Sequence, residues 1–124
     1  MSDRILIAAS DLKLKAELND SATASAFKAL LPIEIRMSRW GDEYYGDCGI
    51  NVDIAEDAKE VMEVGELAIW PIGNAFCIFF GPTPVSIADE PRAASLVNPI
   101  GVLTDTPDFL KKLGHSINVK ISVL

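Results

Sequence analysis

Residues 12–18 read Leu12-Lys13-Leu14-Lys15-Ala16-Glu17-Leu18, apolar and charged in strict alternation. Successive side chains of a strand point to opposite faces, so a period of two describes a strand with one buried and one wet face. The apolar run at 5–9 precedes it across a tight Ser10-Asp11 link, and the two read as an antiparallel hairpin. The same alternation recurs at 33–38, where Ile33, Ile35 and Met37 oppose Glu34, Arg36 and Ser38. It closes the chain at 117–123, where Ile117, Val119, Ile121 and Val123 oppose Asn118, Lys120 and Ser122. Residues 67–70 and 75–80 form two further strands around Trp70-Pro71-Ile72-Gly73, whose second-position proline and fourth-position glycine suit a type I turn. The run 75–80 is apolar throughout, which predicts a strand covered on both faces, with Phe76 and Phe80 in the core. Shorter strands are expected at 42–45, 50–54 and 96–103. Pro99 places the last at an edge or bulge, because proline has no backbone donor.

Two helices interrupt the strands. Asn19-Asp20-Ser21 supplies an N-cap, Thr23, Ala26, Phe27, Leu30 and Leu31 recur at helical spacing, and Pro32 stops the run. In the second, Thr106 caps, Pro107 takes the first position and Asp108 complements the dipole. Phe109, Leu110 and Leu113 form its buried side, Lys111 and Lys112 its basic end, and Gly114 its stop. The acidic stretch 55–63 fits either an irregular turn or a short helix, and 85–94 reads as a long loop. With seven or eight strands and no strand–helix–strand alternation, the expected fold is mainly β: a closed antiparallel barrel whose open ends the two helices plug. Closure removes the exposed strand edges that invite aggregation. The whole chain, 1–124, is read as one domain.

Composition excludes more than it proposes. Hydrophobic residues at 49 % and charged residues at 23 % describe a folded chain rather than a disordered one. A net charge of −7 with scattered lysines and arginines argues against nucleic acid, which demands a positive surface. No apolar run approaches the roughly 20 residues a membrane helix needs. Met1-Ser2-Asp3-Arg4 lacks the basic and apolar segments of a secretory signal, so a cytoplasmic location is expected. That setting favours free thiols at Cys48 and Cys77, which have no metal-ligand spacing around them. The acidic residues Asp53, Glu56, Asp57, Glu60, Glu63 and Glu66 do not follow a calcium-loop spacing and read as a solvated face. No metal and no cofactor is expected.

Several stretches carry a family resemblance: Trp40-Gly41-Asp42-Glu43-Tyr44-Tyr45, residues 63–75 around Trp70-Pro71-Ile72-Gly73, residues 77–84 ending in Gly81-Pro82-Thr83-Pro84, and residues 94–101. In order and over nearly the whole chain, they resemble a prokaryotic family of small cyclophilin-like proteins. The resemblance implies an eight-stranded antiparallel barrel capped by two helices, in an atypical branch with no assigned activity. True cyclophilins are peptidyl-prolyl isomerases whose active face bears an arginine, an aromatic cluster, glutamines and a histidine. Here the corresponding run is Arg39-Trp40-Gly41-Asp42-Glu43, glutamine is absent from the chain, and the lone histidine, His115, lies beyond the second helix.

The aromatic residues beside turns suggest where a ligand would sit. Trp40, Tyr45, Trp70, Phe79 and Pro84 are expected to form the walls of a cleft, and Glu43, Ser95 and Asn98 to orient what enters it. Arg39, Asp42 and Glu43 bunch around Trp40, and a carboxylate beside an aromatic wall becomes an acid or base if burial raises its pKa, although solvated turn charges are commoner. The leading expectation is a module that binds a small molecule or a proline-containing peptide. A rival is a prolyl isomerase with an atypical site, in which Arg39 stabilises the twisted amide and Glu43 is the other catalytic candidate. A third reading turns the aromatics toward a partner chain, as an interaction or homo-oligomerisation module. His115 most simply caps helix carbonyls.

Overall fold

In a computed structural model, which describes residues 3–9 and 11–124, every strand pairing is antiparallel. Met1, Ser2 and the Ser10 half of the expected Ser10-Asp11 link lie outside the described residues. The elements run β1 (Asp3–Ala9), β2 (Leu12–Leu18), α1 (Ala22–Lys28), β3 (Ile33–Arg39), β4 (Glu43–Asp47) and β5 (Lys59–Val61). They continue with β6 (Glu66–Trp70), β7 (Ala75–Phe79), β8 (Arg92–Leu103), a 3₁₀ helix (Asp108–Lys112) and β9 (Ser116–Val123). Neighbours follow the order β2-β1-β9-β3-β4-β7-β6-β8, and β8 pairs back onto β2 from Ala16↔Leu103 to Leu18↔Gly101. Eight strands thus close a barrel, and β5 pairs only with β8 outside the ring.

The period-two stretches face inward as their alternation requires. Ile5, Ile7, Leu14, Ala16, Leu18, Ile35, Met37, Val119 and Ile121 meet Tyr44, Leu67, Ile69, Phe76 and Ile78 in one cluster, while Lys13, Lys15, Glu34 and Lys120 stay exposed. At one end of the barrel, α1 is capped by Ser21, whose hydroxyl accepts from Ala24 N at 3.1 Å, and Phe27 stacks on Phe76 with centroids 4.9 Å apart. At the other end, Leu110 of the 3₁₀ helix enters the same core and the Tyr44 hydroxyl donates to Gly114 O at 2.5 Å.

The structure corrects four local expectations and resolves a fifth. The second helix is a five-residue 3₁₀ segment with no side-chain cap from Thr106, and Phe109 is 57 % exposed. Only Leu110 is fully buried there, and the Arg39 guanidinium, rather than a further helical turn, satisfies the carbonyls of Lys111 and Leu113 at 3.0 and 3.1 Å. Residues 50–54 join no ladder. The Asn98 amide holds this segment instead, donating to Asp53 O at 2.9 Å and accepting from Ala55 N at 2.9 Å. The ambiguous stretch 55–63 resolves as a turn followed by β5 rather than a helix. Finally, β8 begins at Arg92, four residues before the expected start, and the β6–β7 turn closes from Asn74 N to Pro71 O, one residue late, with Asn74 at φ +51°. No helix among the described residues is long and apolar enough to cross a membrane.

Closure brings two backbones together at Gly101, where a Cβ would meet the carbonyl of Glu17. A Gly101→Ala substitution is therefore expected to destabilise the barrel by about 1–3 kcal/mol, read as a lower urea midpoint. Gly114, around which a Cβ would meet nothing within 4 Å, is the control: alanine there should leave the midpoint nearly unchanged.

Candidate functional site

The site starts from a two-residue turn. Trp40 N donates to Glu43 O at 2.8 Å and Glu43 N to Trp40 O at 3.2 Å, leaving Gly41 and Asp42 as the loop. Gly41 takes φ +60° and Asp42 does not, the pattern of a type II′ turn, which requires glycine at its first central position. Directly opposed residues of a hairpin share a face, so Trp40 and Glu43 project together. The pleat of β4 then sends Tyr44 into the barrel and Tyr45 outward beside Glu43.

That outer face is covered by a second layer. On it, Ala68 of β6 and Cys77 and Phe79 of β7 pack against Met62 and against Ala93 and Val97 from the first half of β8. The layer is tied down by its backbone: Met62 N donates to Pro91 O at 2.9 Å, and the Thr83 hydroxyl to Arg92 O at 2.5 Å. At its edge lies a cavity of about 130 Å³ lined by Trp40, Glu43, Tyr45, Trp70, Ala93, Ala94 and Val97. An apolar cavity of about 150 Å³ accommodates a benzene ring, so the space suits one ring or one short side chain. Sites for larger ligands run to several hundred Å³.

Of the residues singled out in the sequence, Trp40, Glu43, Tyr45 and Trp70 line this cavity together. Ser95 acts through Trp70, its hydroxyl accepting from the indole Nε1 at 2.7 Å. The other side of that indole rests on Gly73, where a Cβ would come within 2.5 Å of the ring, so the turn and Ser95 together set its orientation. Phe79 is fully buried behind the wall, paired with Glu43 across β4–β7. Pro84 is exposed and packs on Gly41, supporting the turn from outside the cavity. Asn98 is placed elsewhere, donating to Thr23 Oγ1 at 3.1 Å as well as holding residues 53 and 55.

Arg39 also lies apart from the cavity lining. Its guanidinium donates to Gly41 O at 2.8 Å, to the carbonyls of Lys111 and Leu113, and to Asp42 Oδ1 at 2.8 Å, and it sits 5.3 Å from the Phe80 ring centroid. The cation staples the β3–β4 turn to the 3₁₀ helix. His115 is exposed, and its backbone carbonyl accepts from Arg39 N at 2.7 Å. Ala93 and Ala94 fall in the stretch the sequence reads as a loop, and Val97, inside the expected strand 96–103, carries no turn or polar signal that marks it as a lining residue. Small residues on a strand that crosses an aromatic face were the signal available.

Glu43 is the chemical feature of the site. It is 5 % exposed, and its Oε1 has no hydrogen-bond partner. Loss of hydration pushes its carboxyl from 4.5 up to about 8, with the neighbouring Cys77 thiol opposing the rise. At neutral pH the group is therefore mostly an uncharged acid. Burial, then the Glu43 carboxyl beside it, pushes the Cys77 thiol up as well, so it is no thiolate nucleophile. Both cysteines are free and buried. Among the described residues, no group of three or more His, Cys, Asp or Glu is placed to hold a metal ion.

A family model described as Cyclophilin-like matches residues 3–122. The solution structure of the hypothetical protein AF2241 from Archaeoglobus fulgidus superposes with a TM-score of 0.84 at 33 % identity, covering 99 % of this chain and 95 % of that one. A comparison with curated proteins finds no match.

The raised carboxyl sets a pH dependence whose sign follows from linkage. Below 4.5 the group is protonated in both folded and unfolded chains and costs nothing. Between 4.5 and about 8 only the unfolded chain releases the proton, so stability falls as pH rises and levels off above about 8. At about 1.4 kcal/mol per pH unit, this interval bounds the loss at about 5 kcal/mol. Urea unfolding across it should show Glu43→Gln with a flatter profile than the parent and a higher midpoint at the alkaline end; superimposable profiles would mean the carboxyl is ionised in the fold.

Proposed function

The chain belongs to the cyclophilin-like family, and from that premise we propose that it is a binding module that receives one small ring or short side chain between Trp40, Tyr45 and Trp70. The observation that carries this reading is Glu43 Oε1, buried in the cavity wall without a hydrogen-bond partner. An unpaired buried polar group costs about 1–3 kcal/mol. For stability alone, an apolar side chain serves better at that position. A carboxyl there finds its partner when a ligand supplies one.

Three further features support the reading. The walls are aromatic, and such walls supply most of the contact area in small-molecule sites. Trp70 is pinned by Ser95 and Gly73, so the cavity is preformed and little ordering opposes binding. The volume of about 130 Å³ limits the occupant to something of ring size, whether a free metabolite or a residue of a short peptide such as proline.

Titration with proline-containing peptides and small ring metabolites, followed by tryptophan emission, tests the proposal. A ligand that shifts the emission should bind at least tenfold more weakly to Trp70→Ala, a loss of about 1.4 kcal/mol or more. No shift across the series, in a folded protein whose Trp40 is reached by a soluble quencher, would overturn it.

A further inference from the structure

Resting on the binding reading above, we propose that the cavity's ligand class is a compact organic ammonium ion, its cationic head held by the faces of Trp40, Tyr45 and Trp70 and paired with the Glu43 carboxylate. Three aromatic residues and one carboxyl converge on a space of about 130 Å³, and the remaining lining, Ala93, Ala94 and Val97, is aliphatic. Aromatic faces carry negative potential and attract cations, most strongly where water is excluded. Methylated ammonium groups are weakly hydrated and bulky, and they fill such cages better than metal ions do.

The charge inventory of the cavity favours a cation over an anion. No lysine or arginine lines it. The nearby Arg39 is engaged with carbonyls and Asp42, and the Trp70 N–H is engaged with Ser95, so an anion would find no donor from either. A neutral hydrocarbon ring would use the walls and still leave Glu43 Oε1 unpaired. An ammonium ion satisfies walls and carboxyl at once.

Binding of a cation is coupled to a proton. The titratable groups that meet Glu43 are the Cys77 thiol of β7 and the Tyr45 phenol in the same lining; Trp40, Trp70 of β6 and the β8 residues Ala93, Ala94 and Val97 bring no charge. The bound cation favours the ionised carboxyl, so the apparent affinity rises with pH toward about 8 and flattens above it. A neutral ligand that accepts a hydrogen bond from the protonated acid gives the opposite slope.

The test uses choline and its uncharged isostere, dimethylbutanol, in which carbon replaces nitrogen, with the indole N–H signals of Trp40 and Trp70 as the NMR readout. Choline should shift both signals, bind at least tenfold more tightly than the isostere, tighten between about pH 6 and about pH 8, and lose at least tenfold in Glu43→Gln. If that variant does not fold, the pH slope of the parent and a Trp70→Leu variant decide, each expected to show the cation dependence or its loss. Equal binding of the two probes, or affinity that falls as pH rises, overturns the ammonium assignment and leaves the binding reading standing. Failure of choline to move either indole overturns it as well, and the separate peptide and metabolite series then shows whether the binding reading falls with it.

Discussion

One strand, β8, performs two structural tasks, and the missing backbone donor at Pro99 separates them. Its second half pairs with β6 on one side and β2 on the other, closing the barrel. Its first half pairs with β5 and lies over the outer face of β6 and β7. The register with β6 shifts between Leu67↔Gly101 and Ala68↔Pro99, the irregularity a proline imposes on a ladder. The carbonyls around the shift stay paired: Asn19 N donates to Ile100 O at 2.8 Å and Asn19 Nδ2 to Pro99 O at 3.0 Å. Without this change of neighbours, the barrel would close but its outer face would be bare.

The second layer makes chemistry out of geometry. β4 alternates Glu43, Tyr44 and Tyr45 as any half-buried strand would, and on an uncovered face Glu43 would be an ordinary solvated carboxylate. Covered by Ala93 and Val97, and flanked by Trp40 and Trp70, it loses its hydration and keeps its proton well above the usual carboxylate range. The small side chains of Ala93 and Ala94 leave the covering incomplete, which is why a cavity remains beside it. Burial and access, usually opposed, coexist at this edge.

Other polar residues of the region are used to hold the frame. Arg39 spans the β3–β4 turn, the 3₁₀ helix and the Phe80 ring, and Asn98 secures the irregular passage from β4 to β5. Ser95 and Gly73 orient Trp70, and Pro84 backs Gly41. None of Arg39, Asn98, Ser95, Gly73 and Pro84 lines the cavity. The division explains how a small barrel keeps an aromatic cleft ordered while Glu43 Oε1 stays without a partner in its wall.

Local pattern alone determined the strands at 12–18, 33–38 and 117–123, the Ser21 cap with its helix, and the antiparallel class, because side-chain period, capping chemistry and proline placement act over a few residues. It also marked Trp40, Glu43, Tyr45 and Trp70 as neighbours of turns. Tertiary structure decided the rest: that Arg39 and Asn98 bind loops, that the second helix tightens to a 3₁₀ turn, that β8 starts at Arg92, and that Glu43 is buried. Each of these depends on pairings between residues tens of positions apart, where the energy of a buried carboxyl or a captured carbonyl is set by what the opposite layer brings, and no window of sequence contains that layer.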